Sequence, residues 1–169
     1  MRTAGVTLAI VVALVLQTTL TRFLVRGTVA VDLVVVVVVY VALMSGPVTG
    51  LLAGTVAGLV QDALSTGVIG IGGLAKTVVG FLAGIVGTQF IVARPLPRFL
   101  VFFGATLLHQ TITIGLGVVL GLRSLGSPYA AVVGQAFGNA VVGVAAFQLV
   151  ELLPGAVERR KMARTRLRR

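Results

Sequence analysis

Three charged side chains stand near the ends of long apolar stretches in this 169-residue sequence. Asp32 lies two residues before a run of six valines, Asp62 lies near the end of a glycine-rich apolar stretch, and Lys76 lies near the start of the next. If the stretches cross a membrane, such charges either pair with each other or remain in the headgroup region, and for Asp32 both alternatives stay open. Thirteen apolar or small residues separate Asp62 from Lys76. We expect these two side chains to form an ion pair that closes the connection between their stretches.

The single histidine and several uncharged polar side chains form a second group, farther from the ends of the apolar stretches. His109 has Gln110 and Thr113 as neighbours, and Gln135 shares one helical face with Asn139. In helices that cross a membrane, both His109 and Asn139 would lie about 16 Å deep, because a helix rises 1.5 Å per residue. Polar groups at this depth usually form hydrogen bonds between helices, and a polar cavity for a small ligand is the alternative.

The residue types needed for catalysis are scarce. The chain has one histidine and no cysteine, and Ser45, Ser65, Ser124 and Ser127 all lie in predicted loops away from His109. The glycine-rich segments match neither G-x-G-x-x-G nor the Walker pattern that binds phosphate. A nucleophile, a base and an orienting group do not occur at matching depth. We therefore expect no catalytic residue, no metal site and no bound cofactor.

The composition identifies an integral membrane protein. Hydrophobic residues make up 57% of the sequence and charged residues 11%, and the mean hydropathy of +1.11 lies far outside the range of soluble domains. Apolar stretches follow one another through most of the chain, and each is close to the length of about 20 residues that a helix needs to cross a bilayer. A transmembrane barrel would instead alternate apolar and polar residues in short strands, and this sequence does not.

We predict an all-α, compact bundle of six transmembrane helices. The spans cover residues 4–21, 30–45, 47–64, 76–93, 98–120 and 128–153. Valine favours strands, but a backbone in hydrocarbon must satisfy its own hydrogen bonds, so the valines at 34–39 should lie in a helix. Gly46 and Pro47 should form a tight turn, since proline fits the first turn of a helix and glycine permits a sharp reversal.

Glycines at four-residue spacing predict close contacts between helices, because they let two backbones approach. The glycines with this spacing are Gly50, Gly54 and Gly58 in the third span, Gly80 and Gly84 in the fourth, and Gly134 and Gly138 in the sixth. Packing within the bundle is the simpler interpretation, and contact with a helix of a partner is the alternative.

The net charge of +10 is concentrated near the C-terminus. Residues 154–169 carry seven basic residues and one acidic residue, so we divide the chain into a transmembrane domain, 1–153, and a basic tail, 154–169. A cationic segment beside a last span indicates the cytoplasmic side of the membrane. We expect both termini in the cytoplasm. We expect the tail to contact anionic lipid, or an acidic cytoplasmic partner, rather than nucleic acid.

This orientation brings the ends of three spans to the outer face. Asp32, Asp62 and Lys76 should converge there. The connecting loop at 65–75 is apolar and contains four glycines. Such a composition is typical of a segment that dips into the edge of the bilayer and is covered by protein.

The same segments resemble a known family. A short span that opens with Asp32 and aliphatic residues, a Gly46-Pro47 turn, a glycine-stepped helix ending in Gln61-Asp62, and the run LAKTVVGFLAG at 74–84 are similar to the MreD family. These proteins are rod shape-determining membrane proteins of the bacterial wall-elongation machinery. The likeness is clearest over residues 30–88, and Val31 stands where family members often have proline.

The resemblance implies a non-enzymatic scaffold in the bacterial cytoplasmic membrane that helps to maintain cell shape and regulate peptidoglycan synthesis. The implied partners are the single-span protein MreC, the actin-like filament MreB, the polymerase RodA and a class B penicillin-binding protein. The family also resembles the substrate-binding subunits of energy-coupling-factor vitamin transporters, which supply the alternative function. Ala9-x-x-x-Ala13 weakly matches the contact motif of those subunits, but the chain has no tryptophan and only two tyrosines for a vitamin site.

Overall fold

The protein is a bundle of α-helices. The computed structural model describes residues 3–23, 31–65, 68–90, 94–122 and 129–166, and these residues contain six helices and no strand. The helices are α1 (Thr3–Phe23), α2 (Leu33–Ser45), α3 (Pro47–Leu64), α4 (Ile71–Gln89), α5 (Pro95–Val119) and α6 (Tyr129–Arg166). The predicted fold class and the predicted number of helices are confirmed.

The helices have the length and the surface of membrane spans. Helices α3, α4 and α5 and the segment Tyr129–Glu151 of α6 are long and apolar enough to cross a membrane. Segment Ala4–Thr19 of α1 and helix α2 are shorter apolar segments. Large apolar side chains cover the outside of the bundle; Val48, for example, is 68% exposed and Leu96 69% exposed. Such exposure is favourable in lipid and unfavourable in water. The chain is therefore an integral membrane protein.

Helix α2 occupies the centre of the bundle and contacts each of the other five helices. Five of its six consecutive valines are buried, as is expected of a helix that is apolar on every side. Its 13 residues span about 20 Å, which is less than the hydrocarbon thickness of about 30 Å. Since Asp32 at the start of α2 is buried, this end of the helix lies inside the protein.

The predicted turn between α2 and α3 is present. Gly46 has a φ of +86°, which side chains rarely adopt, and Pro47 occupies the first turn of α3. The turn makes α2 and α3 antiparallel. The most extensive contacts in the bundle then form within two further antiparallel pairs, α3 with α4 and α5 with α6.

Among the helix starts, that of α4 differs most from its predicted position. The prediction was 76–93, but the helix spans Ile71–Gln89, so residues 71–75 form its first turn and are not part of a loop. The reason is a side chain from the preceding helix: the Asp62 carboxylate accepts hydrogen bonds from the N–H groups of Gly70 and Gly73. Such a cap stabilises a helix start that glycines alone would not favour.

Helix α6 is longer than its predicted span. It continues without a break to Arg166, across the predicted boundary between the transmembrane domain and the basic tail. At 1.5 Å per residue its 38 residues extend about 57 Å, well beyond the thickness of the hydrocarbon core. The division at 153 and 154 remains a prediction about function, because the helix itself shows no break there.

Candidate polar site at the start of the central helix

The candidate site is built around the N-terminus of α2. Oδ1 of Asp32 accepts hydrogen bonds from the N–H groups of Val34 at 3.0 Å and Val35 at 3.1 Å. The first N–H groups of a helix have no partner within the helix, and an aspartate at this position commonly supplies one. Asp32 is therefore the N-cap of α2, and this role explains why an aspartate precedes the valine run.

Side chains of two neighbouring helices accept hydrogen bonds from the N–H groups of Asp32 and Leu33. The backbone N–H of Asp32 donates to Oδ1 of Asn139 at 2.7 Å. The N–H of Leu33 donates to Oε1 of Gln17 at 2.9 Å. Asn139 also donates from Nδ2 to Oγ1 of Thr106 at 3.1 Å. Side chains of α1 and α6 thus hold the start of α2 in place, which is necessary because a buried N–H without a partner is costly.

Lys76 completes the cluster from α4. Its Nζ lies 3.6 Å from Oδ2 of Asp32 and 3.1 Å from Nε2 of His109. Lys76 is 3% exposed and His109 6% exposed. An ammonium group can only donate, so Nε2 of His109 accepts and the proton of the neutral ring is on Nδ1. The buried charge of Lys76 is balanced by Asp32.

The predicted ion pair between Asp62 and Lys76 is wrong. Lys76 pairs with Asp32, and Asp62 caps α4 through Gly70 and Gly73 at 2.8 and 3.0 Å. The absent side chain of Gly72 leaves room for the Asp62 carboxylate, since a Cβ there would collide with it. The prediction failed because α4 begins five residues earlier than expected, which places Lys76 more than one turn inside the helix.

Residues from both sets of polar side chains that the sequence pointed to meet in one cluster. Asp32 and Lys76 were predicted at the outer membrane face, and His109 and Asn139 near the middle of the membrane. In the structure Lys76 contacts His109, and Asn139 contacts the backbone of Asp32. Because α4 starts early, Lys76 lies more than one turn inside the helix and meets His109 of α5, while Asn139 of α6 reaches the N–H of Asp32.

The cluster forms the floor of a cavity of about 400 Å³. The cavity lies between the end of α3, the start of α4 and the C-terminal half of α5. Its polar lining residues are Asp32, Gln61, Asp62, Ser65, Lys76, His109 and Thr113, and its remaining lining residues are Val68, Ile71, Gly72, Gly117 and Leu122. This size and this mixture of apolar walls with a few polar groups are typical of binding sites.

Further polar contacts outside the cluster join α5 and α6. Gln135 of α6 does not line the cavity but accepts a hydrogen bond from Nε2 of Gln110 on α5. At the opposite end of the bundle, Arg98 of α5 donates two hydrogen bonds to Glu151 of α6, at 2.9 and 2.5 Å. Its guanidinium lies 4.0 Å from the centre of the Phe147 ring. The pair α5–α6 is therefore joined by side chains at several levels.

The glycines predicted for packing differ in their surroundings. A Cβ added to Gly54 would lie 2.6 Å from the backbone carbon of Lys76, and one added to Gly58 would lie 2.6 Å from Cα of Gly73. Gly50, Gly80 and Gly84 also lie against backbone of the facing helix. A Cβ on Gly134 would meet no atom within 4 Å, and Gly138 is half-buried.

Three residues of the site were not predicted from the sequence. Gln17 and Thr106 help to hold the start of α2, and Gln61 lines the cavity. The only signal for Gln17 and Thr106 was a polar side chain within an apolar span. That signal does not identify a partner, because each of these side chains contacts a residue far away in the sequence.

The comparisons with known proteins identify the family. The family model described as rod shape-determining protein MreD matches residues 2–153. No curated protein and no solved structure matches the chain, so the resemblance to vitamin-transporter subunits stays an expectation. Membership implies a part in the shape-determining complex of rod-shaped cells. The chain is thus an integral membrane protein that belongs to the MreD family of rod shape-determining proteins.

Proposed function

We propose that the chain is a non-enzymatic scaffold of the bacterial wall-elongation complex, where it helps to maintain cell shape and regulate peptidoglycan synthesis. Family membership supports the role in shape determination. The observation that carries the scaffold proposal is the polar cavity beside Asp32 and Lys76. Side chains from α1, α2, α4, α5 and α6 hold its floor, so the site is organised before a partner binds. Such preorganisation favours binding because little conformational entropy is lost.

The contacts within the site support binding rather than catalysis. Asp32 and Asp62 accept hydrogen bonds at helix N-termini, and Asn139 joins two other helices to the start of α2. A catalytic group would need freedom to exchange a proton or attack a substrate. These side chains already have structural roles, which is the basis for proposing a protein without enzymatic activity.

The proposed partners follow from the family. An MreC-like single-span protein would contact the cavity, and a RodA-type polymerase with its class B penicillin-binding protein and an MreB-like filament would complete the assembly. We place the protein in the bacterial cytoplasmic membrane with both termini in the cytoplasm. The cavity would then face outward, and the basic residues at 154–169 would contact anionic lipid, with about 1 kcal/mol available per cation.

Affinity purification of the tagged full-length protein from native membranes tests the assignment. We expect wall-synthesis proteins, including an MreC-like protein, among the co-purified proteins. Recovery of transporter ATPases would instead support the substrate-binding subunit. A reporter that is active only outside the cell, fused after Arg169, should be silent; activity would reverse the proposed orientation.

Variants of the buried ion pair test whether the cavity captures the partner. Asp32→Asn keeps an N-cap oxygen and removes the charge, whereas Asp32→Ala removes both. Co-purification of the MreC-like protein should fall with Asp32→Asn and with Lys76→Met, because each change leaves one buried charge unpaired. The double variant should lose less than the sum of the two single losses.

Thr19→Val is the control for these variants, since the exposed Thr19 hydroxyl bonds only within α1, to the carbonyl of Val15. This variant should capture the partner like the wild type. Unchanged capture in folded Asp32→Asn and Lys76→Met proteins would exclude the cavity as the partner site, while the family role would remain.

A further inference from the structure

Several polar atoms in the cavity have unused hydrogen-bonding capacity. Oε1 of Gln61 and Nδ1 of His109 are buried and have no hydrogen-bond partner among the residues that the structure describes. The Lys76 ammonium has three N–H groups, one of which is directed to His109 at 3.1 Å. Oδ2 of Asp32 lies 3.6 Å from Nζ, beyond ordinary hydrogen-bond distance. Since unpaired buried polar groups are costly, these atoms indicate that the cavity is completed by a polar occupant.

The direction of the missing hydrogen bonds limits what the occupant can be. Gln61 Oε1 can only accept, so the occupant must donate to it. The Lys76 ammonium and the Nδ1–H of His109 can only donate, so the occupant must also present an acceptor. All three residues belong to the lining of the same cavity. A single occupant therefore needs a donor and an acceptor close together.

The charges of the lining favour an uncharged occupant. The charge of Lys76 is balanced by Asp32, and the carboxylate of Asp62 is stabilised by the N–H groups at the start of α4. A carboxylate or phosphate in the cavity would face Asp32 and Asp62, and an ammonium ion would face Lys76. An uncharged group avoids both repulsions.

We propose that this cavity binds an uncharged amide, either a peptide group or a carboxamide side chain. The amide oxygen accepts from Lys76 or His109, and the amide N–H donates to Oε1 of Gln61. A cavity of about 400 Å³ accommodates such a group together with a short side chain. This inference rests on the proposed function, because we expect the amide to belong to the partner protein.

The first experiment uses three small probes of similar size and different charge: N-methylacetamide, acetate and methylammonium. The melting temperature of the purified full-length protein in detergent is measured with each probe at equal concentration and ionic strength. A ligand that binds the folded state raises the melting temperature. We expect a rise with N-methylacetamide only. No rise with the amide, or an equal rise with either ion, would overturn the proposal.

Substitutions of Gln61 sharpen the test, because this residue is only half-buried and tolerates change better than Lys76. Gln61→Leu removes the acceptor and should abolish the amide effect. Gln61→Glu adds a carboxylate and should change the preference from the amide to methylammonium. Gln89→Leu is the matched control, since Gln89 is exposed at the end of α4 and outside the cavity. An amide effect that survives Gln61→Leu would mean a solvent effect and no site. An effect that also disappears in the Gln89→Leu control would mean that it does not depend on the cavity, and would overturn the proposal as well.

A second experiment separates the two sources of the amide. If it comes from the polypeptide partner, Gln61→Leu should lower co-purification of the MreC-like protein about fivefold, as expected for one lost hydrogen bond. If the probe effect is lost and co-purification is unchanged, the amide belongs to a small ligand. If the wild-type protein captures no wall-synthesis protein, the proposed function fails, and the probe experiment still decides whether the amide site exists.

Discussion

The two antiparallel helix pairs of this bundle are held together by different contacts. Helices α3 and α4 meet backbone to backbone, with Gly50 against Gly80 and Gly54 against the carbonyl group of Lys76. Helices α5 and α6 meet through side chains. The contacts between α5 and α6 include Gln110 with Gln135, Thr106 with Asn139, Arg98 with Glu151 and the Phe99 ring with the Phe137 ring.

The comparison shows when glycine spacing predicts a close helix contact. Both α3 and α6 carry glycines four residues apart, and Gly50, Gly54 and Gly58 of α3 lie against the backbone of α4. On α6, Gly134 meets no atom within 4 Å. A glycine row therefore predicts backbone contact only if another helix lies against that face, and that condition needs a known pairing of helices.

The two kinds of helix contact also position the residues of the site in different ways. The close α3–α4 contact fixes the position of Asp62 relative to α4 and of Lys76 relative to α3, through backbone contacts at the glycines and a hydrogen bond of 2.8 Å between the Thr55 and Thr77 hydroxyls. The α5–α6 contact positions Asn139 through hydrogen bonds, which depend on geometry as well as distance. We expect the first contact to be the less tolerant of substitution.

The largest effect should come from Gly54→Leu. The added side chain would collide with backbone atoms of Lys76, which cannot move without separating the helices. The cost should exceed about 3 kcal/mol, the upper end of ordinary overpacking. Thermal unfolding in detergent and the yield of folded protein measure it. Val56→Leu, on the exposed face of the same helix, should be tolerated; equal tolerance of both would show that α3 and α4 are not in close contact.

Asn139→Leu should have the next largest effect. It leaves the backbone N–H of Asp32 without its acceptor, at a cost of about 1–3 kcal/mol for a buried unpaired group. The Thr106 hydroxyl loses one donor but still donates to the carbonyl of Phe102. A melting temperature equal to that of the wild type would contradict a structural role for this side chain. Asn139→Asp keeps one acceptor for the N–H of Asp32, but it places a second carboxylate beside the first, so it should not restore stability.

Arg98→Lys should have a smaller effect than Asn139→Leu. Lysine keeps the charge but loses the paired hydrogen bonds to Glu151 and the planar contact with the Phe147 ring. The loss is limited because the Glu151 side chain is 54% exposed. Thermal unfolding of Arg98→Lys and Glu151→Gln should show small, similar decreases. A decrease in melting temperature as large as that of Asn139→Leu would mean that the Arg98–Glu151 contact stabilises the protein as much as the contacts of Asn139 do.

The smallest effect is expected for Gly134→Leu. With open space beside Gly134, the change in the free energy of unfolding should stay within about 0.5 kcal/mol. A loss of partner co-purification without a loss of stability would indicate that Gly134 faces a helix of a partner. A large loss of stability would contradict the surroundings of this residue in the structure.

The sequence alone was sufficient to predict the class of the protein, the six helices that the structure describes and the turn at Gly46 and Pro47. These features depend on composition, on the spacing of apolar stretches and on the requirement that a backbone in hydrocarbon bonds to itself. The same requirement makes the valine run a helix against its propensity. Each of these arguments needs only local sequence, so no knowledge of the helix arrangement was necessary.

Only the tertiary structure decided which polar residues meet. Asp62 and Lys76 are close in sequence, yet Lys76 pairs with Asp32 and Asp62 caps α4. Gln17 and Asn139, from opposite ends of the chain, both hold the start of α2. The choice depends on where each helix starts and which helices surround α2, and a shift of five residues in α4 is enough to exchange one partner for another. Pairing in a buried cluster is set by distances of a few ångströms, which the spacing of residues along the chain does not determine.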